Sequence, residues 1–252
     1  MKRVQRAAAG MPATPKGNPP SLVREAAARY AELHPLYAAF CRHVRQALAE
    51  EIAARAIKIH SIEARAKSVE SFERKIRRLL GAQRAPRHAS EPLKRVTDMA
   101  GVRVITYFPR TVADVDSVIC SRFRVLEKDN KTESRDAPGT FGYRSVHYLV
   151  ELTPENLDRP DCRWFQGLVA EIQVRTILQH AWAEIEHDIQ YKSARALPPA
   201  IRRRLAAVAG LLEIADREFQ AIRDEHDRSR ERPPADKPGR APAVKRRTAR
   251  RP

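Results

Sequence analysis

Asp98 and Glu171 lie far apart in the chain, but each stands beside a short apolar run. Asp98 sits in "RVTDMAGVRVI", ahead of a glycine-led turn into a strand that carries Arg103; Glu171 sits in "LVAEIQVRT". An Asp before a strand often does no more than cap a turn. Two carboxylates from separate strands are a common way to hold Mg²⁺, a hard cation that takes oxygen ligands and bridges to phosphates. Three cations, Arg65, Lys67 and Lys75, are grouped in one stretch, "RAKSVESFERK". Cations for phosphates, carboxylates for a metal ion and an aromatic ring to stack on a base make up the inventory of nucleoside triphosphate chemistry.

The ring is Tyr143, in "APGTFGYRSVHYLVEL". Read at the strand period of two, this stretch puts Tyr143, Ser145, His147 and Glu151 on one side, opposite Val146, Tyr148, Val150 and Leu152. "LVAEIQVRT" behaves alike: Leu168, Ala170, Ile172 and Val174 share one face, and Glu171, Gln173 and Arg175 the other. The plain alternative is a pair of amphipathic strands with solvated faces. Solvated faces favour Lys, Glu and Thr, whereas Tyr, His, Glu, Gln and Arg together have the composition of a site. If both apolar faces pack on helices in one sheet, the polar faces line a common cleft.

These residues need elements to position them. Residues 21–58 are Ala-rich with helical spacing, with a turn expected near His60-Ser61. One helix through "SIEARAKSVESFERKIRRLLG" would put Arg65 in its apolar stripe, where an unpaired guanidinium is costly. A break at Ser68 removes the conflict. Ser68 then caps a helix to Gly81 with Glu70 in its first turn, and the preceding residues become extended. Strands are expected at 99–108, 123–128, 143–152 and 168–175, and helices at 111–120, 176–192 and 199–228. The fold class is therefore α+β: a mixed sheet flanked by helices, with a helical N-terminal segment (21–58), a catalytic domain with its C-terminal helix (59–228), and disordered basic ends at 1–20 and 229–252.

Several classes are excluded. No G-x-x-x-x-G-K-[ST], G-x-G-x-x-G or H-E-x-x-H motif is present. His180, Glu184 and His187 share a helical face, and a polar face that positions neighbouring strands is favoured there over a metal site. Trp182 and Ile185 beside them are expected in the core. No run of eighteen apolar residues points to a membrane span, and no apolar run suited to a secretory signal follows Lys2, Arg3 and Arg6. Three scattered cysteines, Cys41, Cys120 and Cys162, suggest reduced, buried thiols in a cytoplasmic protein. Of the net charge of +17, residues 1–20 carry +4 and residues 229–252 carry +7, leaving +6 on the body. The basic ends read either as arms for RNA or tRNA or as solubilising tails.

"RAKSVESFERK", "TDMAGVRVI", "FGYRSVHYLVEL" and "AEIQVRTILQHAWAEIEHDIQYK" occur in the order and approximate spacing of the RelA/SpoT-type alarmone synthetase family, over roughly residues 60–192. The chain resembles the small, synthetase-only members. That resemblance implies a nucleotidyltransferase-like fold, Mg²⁺ as cofactor, and transfer of the β,γ-pyrophosphate of ATP to the 3′-hydroxyl of GTP or GDP. It implies that Arg65 and Arg103 sandwich the ATP adenine and that Lys67 and Lys75 hold the triphosphate. It makes Asp98 the principal Mg²⁺ ligand, and Glu171 a carboxylate that assists the metal or accepts the hydroxyl proton. Tyr143 would stack on the acceptor base, with His147, Gln173 and Arg175 in support. Small members often form homo-oligomers, and the 199–228 helix could serve there.

The chain departs from the family pattern before its Gly-Tyr pair. Gly139 and Phe141 stand where a Lys and often an Asn are usual, and His180 stands where an Asn is usual in the following helix. Lys128, Lys131 or Arg135 are candidate substitutes for the Lys. Two other readings therefore stay open: the same transfer to tRNA or an adenine nucleotide, and a non-catalytic nucleotide- or RNA-binding module. No hydrolase domain is visible.

Overall fold

The computed structural model of the protein describes residues 19–82, 96–130, 145–191 and 197–231. Helix α1 (Pro19–Ala54) runs without interruption through Pro35. An internal proline normally breaks a helix. Here the fully buried Tyr30, Phe40, Val44 and Leu48 bind this helix into the core on both sides of it. The helix ends in a Schellman cap: the Ile57 N–H donates to the Ile52 carbonyl and the Ala56 N–H to that of Ala53, both at 3.0 Å, with Ala56 left-handed at φ 53°. This cap places the turn at 55–58. His60 and Ser61, expected at a turn, lie instead in strand β1 (Ile59–Ala66).

The helix break expected at Ser68 is present. Helix α2 covers Val69–Ala82, and the Ser68 hydroxyl accepts the Ser71 N–H at 3.2 Å. Arg65 thus stays in a strand, while Phe72 and Ile76 bury the helix's apolar face. Strand β2 (Ala100–Thr106), helix α3 (Pro109–Arg122), and strands β3 (Phe123–Asn130) and β4 (Val146–Leu152) follow. A short helix α4 (Pro154–Leu157) and a 3-10 turn (Arg163–Phe165) lead to strand β5 (Ala170–Thr176). Helices α5 (Ile177–Tyr191) and α6 (Pro199–Glu231) complete the described chain. Helix α1 begins two residues inside the expected N-terminal arm, and α6 runs three residues into the expected tail. The remainder of both segments lies outside the described residues.

The five strands form one mixed sheet in the order β1-β2-β5-β4-β3. Only β2 and β5 are parallel; the other neighbours are antiparallel. On one face Val102, Ile172 and Tyr148 stand side by side in register and are buried under α1 and α3. On the other face the register lines up Arg65, Gly101 and Glu171 in one row, and Glu63, Arg103, Gln173 and His147 in the next. Neighbours in such a row stand about 4.8 Å apart, within reach of one another's side chains.

Three expectations are corrected. Ile185 is 58 % exposed, because α5 buries Trp182 against Ala209 of α6 and turns Ile185 outward. Cys120 is exposed on α3, unlike Cys41 and Cys162. Lys128 pairs with Asp116 of α3 at 2.8 Å on the helix-covered face, so it is committed away from the polar face. Lys131 and Arg135 lie outside the described residues.

Helix α6 is held near its middle by a buried carboxyl. The Thr176 hydroxyl donates to Asp216 Oδ2 at 2.6 Å, and Asp216 is only 3 % exposed. Burial pushes its pKa up to about 7. The folded chain therefore keeps a proton that the unfolded chain releases near pH ~3.9. Stability from this group is complete below that pH and is lost as pH rises toward 7. Asp216→Asn keeps an acceptor for Thr176 and cannot ionise. It is expected to melt several degrees above wild type at pH 8 and at the same temperature near pH 4; equal melting at both values contradicts the assignment.

Candidate active site

A cavity of about 750 Å³ opens over the polar face of the sheet, with α5 as its far wall. Arg65, Lys67, Asp98, Gly101, Arg103, Glu171, Gln173 and Arg175 line the sheet side, and Glu184, Glu186, His187 and Gln190 the helix side. The sheet topology is what brings Asp98 and Glu171 together. Both precede or open a strand of the parallel pair, and parallel strands align their corresponding ends.

Asp98 is clamped between two lysines. Its Oδ2 meets Lys67 Nζ at 2.8 Å and its Oδ1 meets Lys75 Nζ at 2.8 Å. Lys67 is fixed at the backbone: its N–H donates to the Met99 carbonyl at 2.9 Å, and its carbonyl accepts the Tyr30 hydroxyl of α1 at 2.7 Å. Lys75 arrives from the second turn of α2. Burial alone would raise the Asp98 pKa; the two ammonium groups outweigh it and hold the carboxyl below the ordinary range.

Glu171 is held from both neighbouring positions. His147 Nδ1 lies 2.9 Å from its Oε1, and Gln173 Nε2 donates to its Oε2 at 3.1 Å. Burial again pushes upward, but the His147 hydrogen bond and charge and the Gln173 amide pull the carboxyl below its usual range, against repulsion from Asp98. That repulsion places the two acids within each other's field. Beyond them, Ser145 Oγ lies 2.7 Å from His147 Nε2, and Arg175 Nη2 donates to Gln173 Oε1. Arg175 is 5 % exposed; burial, then the charge of Arg103, lowers its pKa to about 10, so it stays charged at neutral pH.

Arg103 Nη1 meets Glu184 Oε1 at 3.1 Å and Glu63 Oε2 at 3.5 Å. Glu184 is thereby engaged with a strand, as the polar-face reading of α5 expects. Burial, then Arg175 and Arg103, lowers the His180 pKa and favours its neutral ring. Gly101 sits in the row between Arg65 and Glu171 and leaves the cavity floor open. A Cβ there would have the Arg65 carbonyl as its nearest neighbour, at an ordinary 3.5 Å, so a larger side chain would project into the cavity.

Of the site residues expected from sequence, Arg65, Lys67, Asp98, Arg103, Glu171, Gln173 and Arg175 border the cavity, and Lys75 touches Asp98. His147 does not border it and reaches Glu171 from behind. Tyr143 lies outside the described residues. Sequence reasoning overlooked Glu63, Gly101, Glu186 and Gln190. Glu63 stands two residues before Arg65 and Gly101 two before Arg103, so strand periodicity was the available signal for both.

Among the described residues no group of three or more His, Cys, Asp or Glu side chains could hold a metal ion. Two ionised carboxylates suit instead a hard cation that completes its shell with water and phosphate oxygens. Asp98 and Glu171, both kept charged, fit Mg²⁺ in that manner.

The family model described as a region found in RelA / SpoT proteins matches residues 64–196. GTP pyrophosphokinase YwaC of Bacillus subtilis is 30 % identical over 171 residues, 67 % of this chain and 76 % of that protein. GTP pyrophosphokinase YjbM of the same organism is 30 % identical over 170 residues, 66 % of this chain and 73 % of its own. The fold matches the crystal structure of small alarmone synthetase 1 from B. subtilis at a TM-score of 0.65 and 22 % identity, covering 79 % of this chain and 98 % of that one. A second structure of that synthetase, bound to its product pppGpp, matches at 0.61 and 23 % identity, covering 78 % and 97 %. With the match running from the last residues of β1 through α5, the chain belongs to the RelA/SpoT family.

Proposed function

We propose that this protein transfers the β,γ-pyrophosphate of ATP to the ribose 3′-hydroxyl of GTP or GDP, releasing AMP and making (p)ppGpp. The observation that carries the reading is Asp98 clamped between Lys67 and Lys75 in the same cavity as Glu171. The 3′-oxygen attacks the β-phosphorus, the bond to the α-phosphate oxygen breaks, and the hydroxyl proton leaves by way of a nearby acceptor. Such a transfer spreads negative charge over phosphate oxygens, so positioning and fixed cations do most of the work. Lys67 and Lys75 turn from Asp98 to the triphosphate, and Asp98 and Glu171 hold Mg²⁺. The bound ion supplies further neutralisation of the transferred group. Arg65 and Arg103 flank the adenine, and the carboxylates of Glu63 and Glu184 set the plane of the Arg103 guanidinium. Tyr143, Gln173 and Arg175 serve the acceptor. A carboxyl held below its usual range is a weak base, which favours Glu171 as an oxygen ligand and hydrogen-bond acceptor over a strong general base.

We further propose that a second copy of the chain pairs through α6. Leu211, Ile222, Ile214, Phe219 and Val208 are 66, 60, 51, 51 and 45 % exposed along it. Isolated exposed apolar residues are ordinary; a continuous stripe on one helix marks an interface. Arg204 and Glu218 stand at equal spacing either side of Leu211, so an antiparallel pair about Leu211 sets opposite charges face to face. Among the described residues no helix is long and apolar enough to cross a membrane.

Four measurements test these readings. Incubation with β/γ-labelled ATP, Mg²⁺ and a panel of acceptors should label GTP or GDP and release AMP; label on deacylated tRNA or an adenine nucleotide instead would replace the acceptor, and no label at all would sink the enzyme. Asp98→Asn is expected to cost about 10²–10³-fold in kcat. Gly101→Val should fold normally, with a circular dichroism spectrum and melting point near wild type, yet lose about a hundredfold or more in kcat/KM by filling the cavity floor. Light scattering should give twice the chain mass or a multiple of it, and Leu211→Lys should return the mass to one chain; a monomeric wild type refutes the pairing.

A further inference from the structure

We infer that Ser145 and His147 are positioning residues for Glu171, and that Ser145 acts by holding the His147 ring in the orientation that points Nδ1 at the carboxylate. The inference rests on the reading of Glu171 as the carboxylate that serves the transfer. It departs from that reading in taking His147 away from the acceptor and in adding Ser145 to the machinery.

Five side chains form one hydrogen-bonded line across β4 and β5. Ser145 Oγ lies 2.7 Å from His147 Nε2, and His147 Nδ1 lies 2.9 Å from Glu171 Oε1. Gln173 Nε2 donates to Glu171 Oε2 at 3.1 Å, and Arg175 donates to Gln173 Oε1. The direction of each bond follows from its partners. An ionised carboxylate only accepts and a guanidinium only donates. Gln173 therefore turns its carbonyl to Arg175 and its amide nitrogen to Glu171, with no freedom to flip. On the other side, the Nδ1 facing Glu171 must carry the hydrogen. In the neutral ring Nε2 is then an acceptor, and the Ser145 hydroxyl is the donor that satisfies it. The carboxylate receives one donor on each oxygen, and each donor is locked by a residue one step further out.

The strand register explains why the line exists. His147 stands opposite Gln173 in the antiparallel pairing of β4 and β5. Ser145 precedes His147 by two residues, and Glu171 and Arg175 flank Gln173 by two on either side, so all five fall on one face. The order Ser-His-Glu has the same sequence of contacts as a nucleophilic triad. That chemistry is ruled out here, because Ser145 is only 9 % exposed and neither it nor His147 borders the cavity. A hydroxyl at the buried end of the line cannot meet a substrate. It can hold an imidazole that holds a carboxylate. Without it, the ring is free to turn about its side-chain bonds, and the carboxylate loses the fixed direction of one of its two anchors.

The test uses the full chain labelled with ¹⁵N-histidine. In the wild type the His147 imidazole should show the Nδ1–H tautomer by nitrogen chemical shifts. Ser145→Ala should keep the Nδ1–H tautomer but shift the Nε2 resonance, which has lost its donor, and lower kcat roughly tenfold, the low end of the loss seen on removing a residue that orients a ligand, with KM for ATP and GTP within about twofold of wild type. Ser145→Thr, which keeps the hydroxyl, should restore both. In a His147→Asn background, where an amide donor replaces the ring, adding Ser145→Ala should cost nothing more. If the alanine variant does not fold, Ser145→Cys, near in size and a weak donor, takes its place. An unchanged ring spectrum, an unchanged kcat, or a further loss in the His147→Asn background each overturns the inference. A wild type that labels no acceptor overturns the proposed reaction instead, and the change in the ring spectrum of Ser145→Ala then tests the positioning by itself.

Discussion

The arrangement depends on one charge cluster, Asp98 between the ammonium groups of Lys67 and Lys75. It joins three pieces of backbone: the end of β1, the second turn of α2, and the segment that leads into β2. Tyr30 of α1 pins the same junction by hydrogen bonding the Lys67 carbonyl and stacking on Phe72, with ring centroids 4.4 Å apart. All three charged side chains are a quarter exposed or less. Two half-buried cations without the acid between them would be left uncompensated, and removing one partner of a buried ion pair is far more costly than the pair itself is worth. The same cluster is preorganised for an anion. In the proposed reaction a triphosphate would offer the lysines the partner that Asp98 provides in its absence, and would free Asp98 for a divalent cation.

The rest of the cavity follows the same pattern of provisional neutralisation. Arg103 leans on Glu63 and Glu184, while Arg175 leans on the Gln173 carbonyl. Each cation is held in place by a weaker or shared partner, and each is oriented by the row of the sheet it occupies. The parallel contact between β2 and β5 at the centre of the sheet aligns Gly101 with Glu171 and Arg103 with Gln173. Outside that pair, antiparallel β1 and β4 add Arg65 and His147 to the same two rows. With no side chain at Gly101, the floor between Arg65 and Glu171 stays open.

Much of this was legible from the chain. Strict alternation in "VHYLVEL" and "AEIQVRT" separated the faces of β4 and β5, because one face is buried under helices and tolerates only apolar groups. Arg65 could not be reconciled with a helical stripe, and that conflict located the break at Ser68. Where the reading went astray, the cause was tertiary. Ile185 was expected inside because it neighbours Trp182, but α5 packs on α6 along a narrow line of Leu178, Trp182 and Ala183 that leaves Ile185 outside. Lys128 was a candidate for the cavity, but β3 presents it to the helix-covered side, where Asp116 takes it. The turn expected at His60-Ser61 moved upstream because the Schellman cap at Ala56 ends α1 with its own hydrogen bonds.

By itself the sequence determined local matters: the two periods, the helix caps, the strand faces, and the residue types able to bind phosphate and a metal ion. These depend on neighbours along the chain, where spacing alone dictates direction. Only the tertiary structure decided which faces meet. That Asp98 feels Glu171, that Glu184 of α5 reaches Arg103 of β2, and that His147 stands behind Glu171 rather than in the cavity all follow from strand order and register. Register is set by the burial of every apolar face at once, a global condition that no local stretch carries.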